Sequence, residues 1–213
     1  MKKIFLNNRG QTLMEVIVAL GILTTGLLAV WGLLDSNYNG EKEAKAQVIG
    51  VNLAREGVEL VKNMRDSNWL HVDSNKPCFY KGVEIVSCSW DSGLGAGVYS
   101  IGNQFAVDDN GNPLLFLDSA NLDGKLFITD SGDYAGFYSN ASTTGSKYSG
   151  YDRLITIKDI CCNNAKCTDN AFNDCSVGSN LVKVGLDIEV KVNWKINDKK
   201  REAIVQDQIF NWR

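Results

Sequence analysis

From Val16 to Leu34, nineteen consecutive residues carry no charge, and nearly all of them are apolar. A helix rises about 1.5 Å per residue, so this run matches the roughly 30 Å hydrocarbon core of a bilayer. Lys2, Lys3 and Arg9 stand before it. That excess of positive charge places the N-terminus in the cytoplasm and everything after Leu34 outside. A secretory signal has a shorter apolar core, followed by a small-residue cleavage site, and is removed whole. This run is too long for that and reads as an anchor. Gly21, Gly26 and Gly32 would weaken a soluble helix, but they suit a membrane helix, where small residues let neighbours approach. The expectation is a single-pass protein of the inner (cytoplasmic) membrane with an extracytoplasmic C-terminal domain.

A carboxylate at the mouth of such a run is costly. Ionisable side chains at mid-bilayer cost about 2.5–3.5 kcal/mol on insertion scales and usually mark function. Glu15 occupies that position, five residues after Gly10. Cleavage after Gly10 would free an α-amino group on Gln11, four residues from Glu15, and that ammonium is a natural counter-charge. In a helical assembly the amine of one subunit would pair with the glutamate of the next. Lys2, Lys3, Arg9, Gly10, Thr12, Leu13 and Glu15 together resemble the prepilin leader of the type IV pilin superfamily, which includes major and minor pilins and the pseudopilins of type II secretion. Gln11 departs from the usual phenylalanine at the first mature position. The resemblance is specific over residues 1–35 and general beyond them. It implies processing at Gly10 and Gln11 by a prepilin peptidase, with cleavage after Gly10 and methylation of the new terminus. It also implies an inner-membrane assembly platform, and other pilin subunits in a filament whose register is set by Gln11 and Glu15. Membrane lipid would surround the helix until extraction, and after assembly the filament would be extracellular.

Residues 1–10 thus read as a leader peptide, 11–34 as a transmembrane segment, 35–67 as an amphipathic helix and 68–213 as a β-rich head with a Cys-rich loop at 161–180. Asp35 to Gly40 is a weak patch that could bend the helix. From Glu41 the helical period returns. Ala46, Ile49, Leu53, Leu60 and Met64 form a stripe widened by Val51, Val58 and Val61, while Lys45, Asn52, Arg55, Glu56, Glu59 and Lys62 lie opposite. Leu13 to Arg65 would make a helix of about 80 Å. Its apolar stripe needs a cover, and the downstream strands supply one. The fold class expected is α+β, a long N-terminal helix packed on an antiparallel sheet as in pilins.

After Asn68 the chain turns to short β-prone runs. Cys78 to Cys88 reads as a hairpin, with Cys78-Phe79-Tyr80 and Glu84-Ile85-Val86 flanking Lys81-Gly82. Asn110-Gly111 marks a tight turn. Leu114–Leu117, Lys125–Thr129 and Arg153–Ile160 are further strands, and residues 130–150 read as loop. The clearest strand is 182–196, where even-numbered apolar residues from Val182 to Ile196 alternate with polar ones or Gly185. A turn at Asn197-Asp198-Lys199-Lys200 returns the chain as an antiparallel partner over 202–212.

All six cysteines, Cys78, Cys88, Cys161, Cys162, Cys167 and Cys175, follow the anchor, where an oxidising space favours pairing. Cys78 with Cys88 would clamp the first hairpin. A bridge between the neighbours Cys161 and Cys162 is geometrically poor, so these two are expected to pair with Cys167 and Cys175. The spacing lacks the paired C-x2-C knuckles of zinc sites, and no metal or cofactor is expected. Ser119, Asn121, Asp123, Gly124 and Asp130 fall at EF-hand spacing. Serine is a poor first ligand, however, Asp130 replaces the closing glutamate, and the flanks read as strands. Asp108, Asp109, Asn110, Asn112 and Asp133 likewise read as turn residues. His71, the only histidine, sits just beyond the expected helix with no nucleophile motif around it, so no enzymatic activity is expected.

Asn140-Ala141-Ser142 matches a glycosylation sequon in a surface loop. The formal charge is −3, and loss of Lys2, Lys3 and Arg9 takes the basic residues from 22 to 19 against 25 acids, leaving −6. That balance argues against nucleic acid as a partner. The tip Lys199-Lys200-Arg201 is the feature that could touch DNA, and no basic groove with interleaved aromatics accompanies it. The reading that results is a minor pilin or pseudopilin. Its alternatives are a pilus-tip binding module for adhesion or DNA uptake, using residues 130–180, and an anchored domain that never polymerises.

Overall fold

The computed structural model describes residues 9–74, 76–80, 83–85, 87–101, 117–119, 123–130, 136–140, 142, 145–162, 167–169, 175 and 181–211. The chain divides into two units, Met1–Ala46 and Gln47–Arg213. Helix α1 (Arg9–Asp73) supplies the described residues of the first and the opening element of the second. Asp35 to Gly40 is helical throughout. A lone glycine costs a helix only about 1 kcal/mol, too little to stop propagation between well-formed flanks. The helix also outlasts its expected end at Ser67. Asn68 is buried, and its amide donates to the carbonyls of Trp90 (3.2 Å) and Ser92 (2.8 Å). These tertiary bonds hold the added turn, and His71 falls inside the helix, in its last turn.

In the second unit the strands are β1 (Cys78–Tyr80), β2 (Val83–Ile85), β3 (Gly97–Ile101), β4 (Leu117–Asp118), β5 (Lys125–Thr129), β6 (Tyr138–Ser139), β7 (Ser146–Cys162), β8 (Cys167–Asp169), β9 (Val182–Ile196) and β10 (Lys199–Phe210). β1 and β2 form their own hairpin. The main sheet runs β10-β9-β7-β3-β4, with β5 and β8 also on β7 and β6 on β5. Its described pairings are antiparallel. β9 and β10 pair without a break from Ile196↔Lys199 to Gly185↔Phe210. Asn197 (φ 49°) and Asp198 (φ 60°) make the two-residue turn, both left-handed as such a hairpin requires. The turn is two residues shorter than expected, because Lys199 and Lys200 already pair in β10.

Two further differences from the sequence reading concern 130–160. The expected loop contains β6 and the first residues of β7, and β7 begins at Ser146, seven residues before Arg153. Ser146 to Lys147 and Tyr148 pair with β5, and Tyr151 onward with β9, so neighbours impose a strand on a Ser- and Gly-rich stretch of weak intrinsic preference. The expected turn at Asp109–Asn112, residues 114–116, and the carboxylates Asp108, Asp109 and Asp133 lie outside the described residues.

The buried face of the sheet carries Tyr151, Ile155 and Ile157 from β7, Leu186, Ile188, Val190, Val192 and Trp194 from β9, and Ala203 and Ile209 from β10. Helix α1 covers it with Leu53, Ala54, Val58, Val61 and Met64. Burying each Leu, Ile or Val contributes about 1.5–3 kcal/mol. The stripe is centred differently from the one expected, since Ala46, Ile49, Val51 and Leu60 are only half-buried. Its centre is a row of small residues at 50, 54 and 57. A Cβ at Gly50 would lie 2.6 Å from Trp194 Cζ3, and one at Gly57 would lie 2.8 Å from Val190 Cγ1. Gly50 and Gly57 let the helix backbone rest directly on the strand.

Cys78 is bonded to Cys88 and Cys161 to Cys175, with Cα separations of 5.2 and 5.7 Å. Cys162 is also disulfide-bonded, and the register sets it opposite Cys167. A bulge between Ile160 and Cys161 interrupts the β7–β9 ladder, leaving Cys161 fully buried and its neighbour Cys162 half-buried.

Candidate filament-assembly segment

Within Met1–Ala46 the helix begins at Arg9, so the backbone of Gly10 and Gln11 is helical. Gln11 and Glu15 are about one turn apart on a single helix face. Glu15 is exposed and, among the described residues, makes no hydrogen bond or ion pair. Every side chain from Leu13 to Leu34 is exposed, including Leu28 (73 %) and Trp31 (75 %). The helix is long and apolar enough to cross a membrane. An apolar surface all round a helix is unstable in water and needs lipid or other helices.

The hydroxyls of this run are already satisfied. Thr24 Oγ1 donates to the Gly21 carbonyl at 3.0 Å, and Thr25 Oγ1 lies 3.0 Å from the Gly21 carbonyl and 2.9 Å from that of Ile22. Threonine bonded back to its own helix carries little cost into an apolar medium. Glu15 is then the one charged group between Leu13 and Leu34 that needs a partner from elsewhere.

The family model of the prokaryotic N-terminal methylation motif matches residues 6–31. The chain carries a type IV pilin-like prepilin segment. No curated protein and no solved structure matches the chain. The prepilin segment takes in Gly10, Gln11, Glu15 and most of the apolar run, and its membrane-capable helix identifies a membrane-anchored protein.

Polar side chains of the head that the sequence reading passed over turn out to be the ones buried against the helix or between strands. Arg153, 1 % exposed, donates through Nη1 to the Leu53 carbonyl (3.1 Å) and lies 3.2 Å from Glu56 Oε2. Burial pushes its pKa below the ordinary value, and Glu56 opposes that shift. Nε and Nη2 of the same guanidinium are buried without a hydrogen-bond partner among the described residues. A signal for this was available. Tyr151, Ile155 and Ile157 alternate inward, and that phase places Arg153 and Asp159 on the same face.

Lys62 bridges to Asp207 of β10 at 2.7 Å and to Glu59 at 3.2 Å. The hydrogen bond from Lys62 holds the Asp207 carboxyl below its usual range, and the bond to Asp207 in turn raises Lys62. The sequon residue Asn140 is half-buried, and its amide donates to the Lys125 carbonyl (3.2 Å) while its Oδ1 is buried. Asp123 and Gly124 lead directly into strand β5, a flank unlike the helix an EF-hand loop requires. Asn121 is outside the described residues.

Proposed function

We propose that this protein is a filament subunit, a minor pilin or minor pseudopilin of a type IV pilus or a type II secretion-like machine. The observation that carries the reading is Glu15, without a partner among the described residues, at the head of an all-exposed apolar helix that matches the methylation motif. A prepilin peptidase cuts after Gly10 and methylates the Gln11 amine. The assembly platform then lifts the helix from lipid, with its N-terminus cytoplasmic and its head outside. The Gln11 amine of one subunit meets Glu15 of a neighbour, and because an unpaired charge is expensive in an apolar bundle, mismatched stacking is penalised. No catalytic role is proposed for the subunit, and its acidic balance disfavours nucleic acid as a partner of the head as a whole.

Intact mass and N-terminal sequencing of the protein from its native membrane test this. The expected result is a chain that starts at N-methylated Gln11. A chain still bearing residues 1–10 overturns processing. Glu15→Ala is expected to insert normally but to enter filaments poorly, and normal incorporation would refute the pairing. A second reading, a tip module that binds through 130–180, is favoured by the exposure of Phe137 (54 %) and Tyr148 (44 %) in that region.

A further inference from the structure

One lysine of the head sits between two carboxylates from different elements. Lys183 Nζ on β9 is 2.9 Å from Asp159 Oδ1 on β7 and 2.9 Å from Asp91 Oδ2 in the segment before β3. It also donates to the Leu94 carbonyl at 3.3 Å. The ring of Trp90 lies 5.8 Å from the amine, and both Trp90 and Leu94 are buried. Asp159 is 6 % exposed, and its Oδ1 accepts no aligned hydrogen bond despite the nearby amine. So the amine is beside the buried carboxyl but not along a hydrogen-bonding direction, while a second carboxylate stands on its other side. Asp91 is itself fixed by Ser89, whose hydroxyl donates to Oδ1 at 2.6 Å.

We propose that Lys183 and Asp159 condense to an intramolecular isopeptide bond, with Asp91 as the base. The ammonium first gives a proton to the Asp91 carboxylate 2.9 Å away, and Asp91 hands it to Asp159, which leaves a neutral amine and a neutral acid. The amine lone pair then attacks Asp159 Cγ, forming the N–C bond. The Asp91 carboxylate takes a proton from the attacking nitrogen and gives it to the departing hydroxyl. The C–O bond breaks, one water leaves, and Asp91 returns to its ionised form. No oxidant or second reactant is needed, and proximity replaces the activation that amide formation otherwise requires. Burial pushes the Asp91 carboxyl up, but the bonds from Ser89 and Lys183 outweigh it and keep it below the usual range, the state a base needs. The product would fasten β7 to β9 at the loop already closed by Cys161–Cys175. This inference is independent of filament assembly.

The test is the intact mass of the full chain from its native membrane after complete reduction and alkylation, followed by peptide mapping. The expected result is a chain lighter by one water molecule, with a branched peptide joining the segments that hold Asp159 and Lys183. Recovery of linear peptides containing unmodified Lys183 overturns the proposal. Asp91→Asn, which keeps the side-chain shape, is expected to restore the full mass while the Cys161–Cys175 bridge still forms, showing that the head has folded. A water loss that persists in Asp91→Asn overturns the role of Asp91. Lys183→Arg is the second variant, and a water loss that survives it, mapped to the same segments, overturns the assignment of the bond.

Discussion

Gly50→Ala tests how closely the helix rests on the sheet. On helix propensity alone, replacing glycine with alanine in a helix interior stabilises by about 1 kcal/mol. Here the added methyl would lie 2.6 Å from Trp194 Cζ3 and 3.0 Å from Cε3 and Cη2, all atoms of the six-membered ring. Carbon atoms pack best at about 3.5–4.0 Å, so either the ring or the helix must yield by about 1 Å. The ring has little room, because Trp194 is buried and Tyr151 lies against it at 5.9 Å between centroids. Overpacking of this kind costs about 1–3 kcal/mol. Set against the propensity gain, the net effect is a loss of about 0–2 kcal/mol. Trp194→Phe removes the offending atoms, and it sacrifices no hydrogen bond, since Nε1 has none among the described residues. In that background Gly50→Ala should cost less or turn stabilising. Urea unfolding of the full chain in detergent, with disulfides intact and ellipticity as the signal, reads both as shifts in midpoint at constant slope. A higher midpoint for Gly50→Ala in the otherwise unaltered protein would refute the close contact. Equal effects in the two backgrounds would refute Trp194 as its cause.

Arg153 invites the opposite experiment. Arg153→Met keeps volume and removes a buried charge with two groups unpartnered among the described residues, so the unfolding free energy is expected to rise, by as much as about 1–4 kcal/mol, whereas Arg153→Ala opens a cavity and lowers it. A large loss with methionine would mean that the bond to the Leu53 carbonyl outweighs desolvation. The Lys62–Asp207 bridge predicts stability limbs on both sides of neutrality. Asp207 is depressed, so its contribution is present above the unfolded value near 4 and is lost as pH falls through the lower folded value. Lys62 is raised, so its contribution holds below about 10.4 and is lost as pH rises through the higher folded value. Asp207→Asn should flatten both limbs in pH-dependent unfolding, and unchanged limbs would show that the half-exposed pair contributes nothing.

The prepilin segment was fully legible because its chemistry lies in consecutive residues, and a glycine, a carboxylate and an apolar run need no fold to be recognised. Strand β9 was legible for a similar reason, since the whole of Val182–Ile196 alternates. β3 was not, because Gly97-Val98-Tyr99-Ser100-Ile101 is short, stands in a Gly- and Ser-rich stretch, and is held by β7 and β4. The first part of β7 depends in the same way on β5 and β9. At the helix end Asn68 looks like a stop, and only the carbonyls of Trp90 and Ser92, more than twenty residues away, show why it is not. The seat of the helix is not legible from its large apolar residues, because close packing is centred on Gly50, Ala54 and Gly57. Arg153 and Asp159 were passed over for the converse reason, since charge outweighed phase in reading their strand.

The adjacent cysteines at the end of β7 act as a gauge of alignment. Neighbouring residues on a strand face opposite sides, so a slip of one position against β9 would exchange the thiol that turns inward for the one that does not. Cys175 could then reach only the wrong sulfur. Because the inward sulfur is the one joined to Cys175, oxidation in this head records that the strand stood in its native register when the bond closed, and it prevents that register from being lost afterwards.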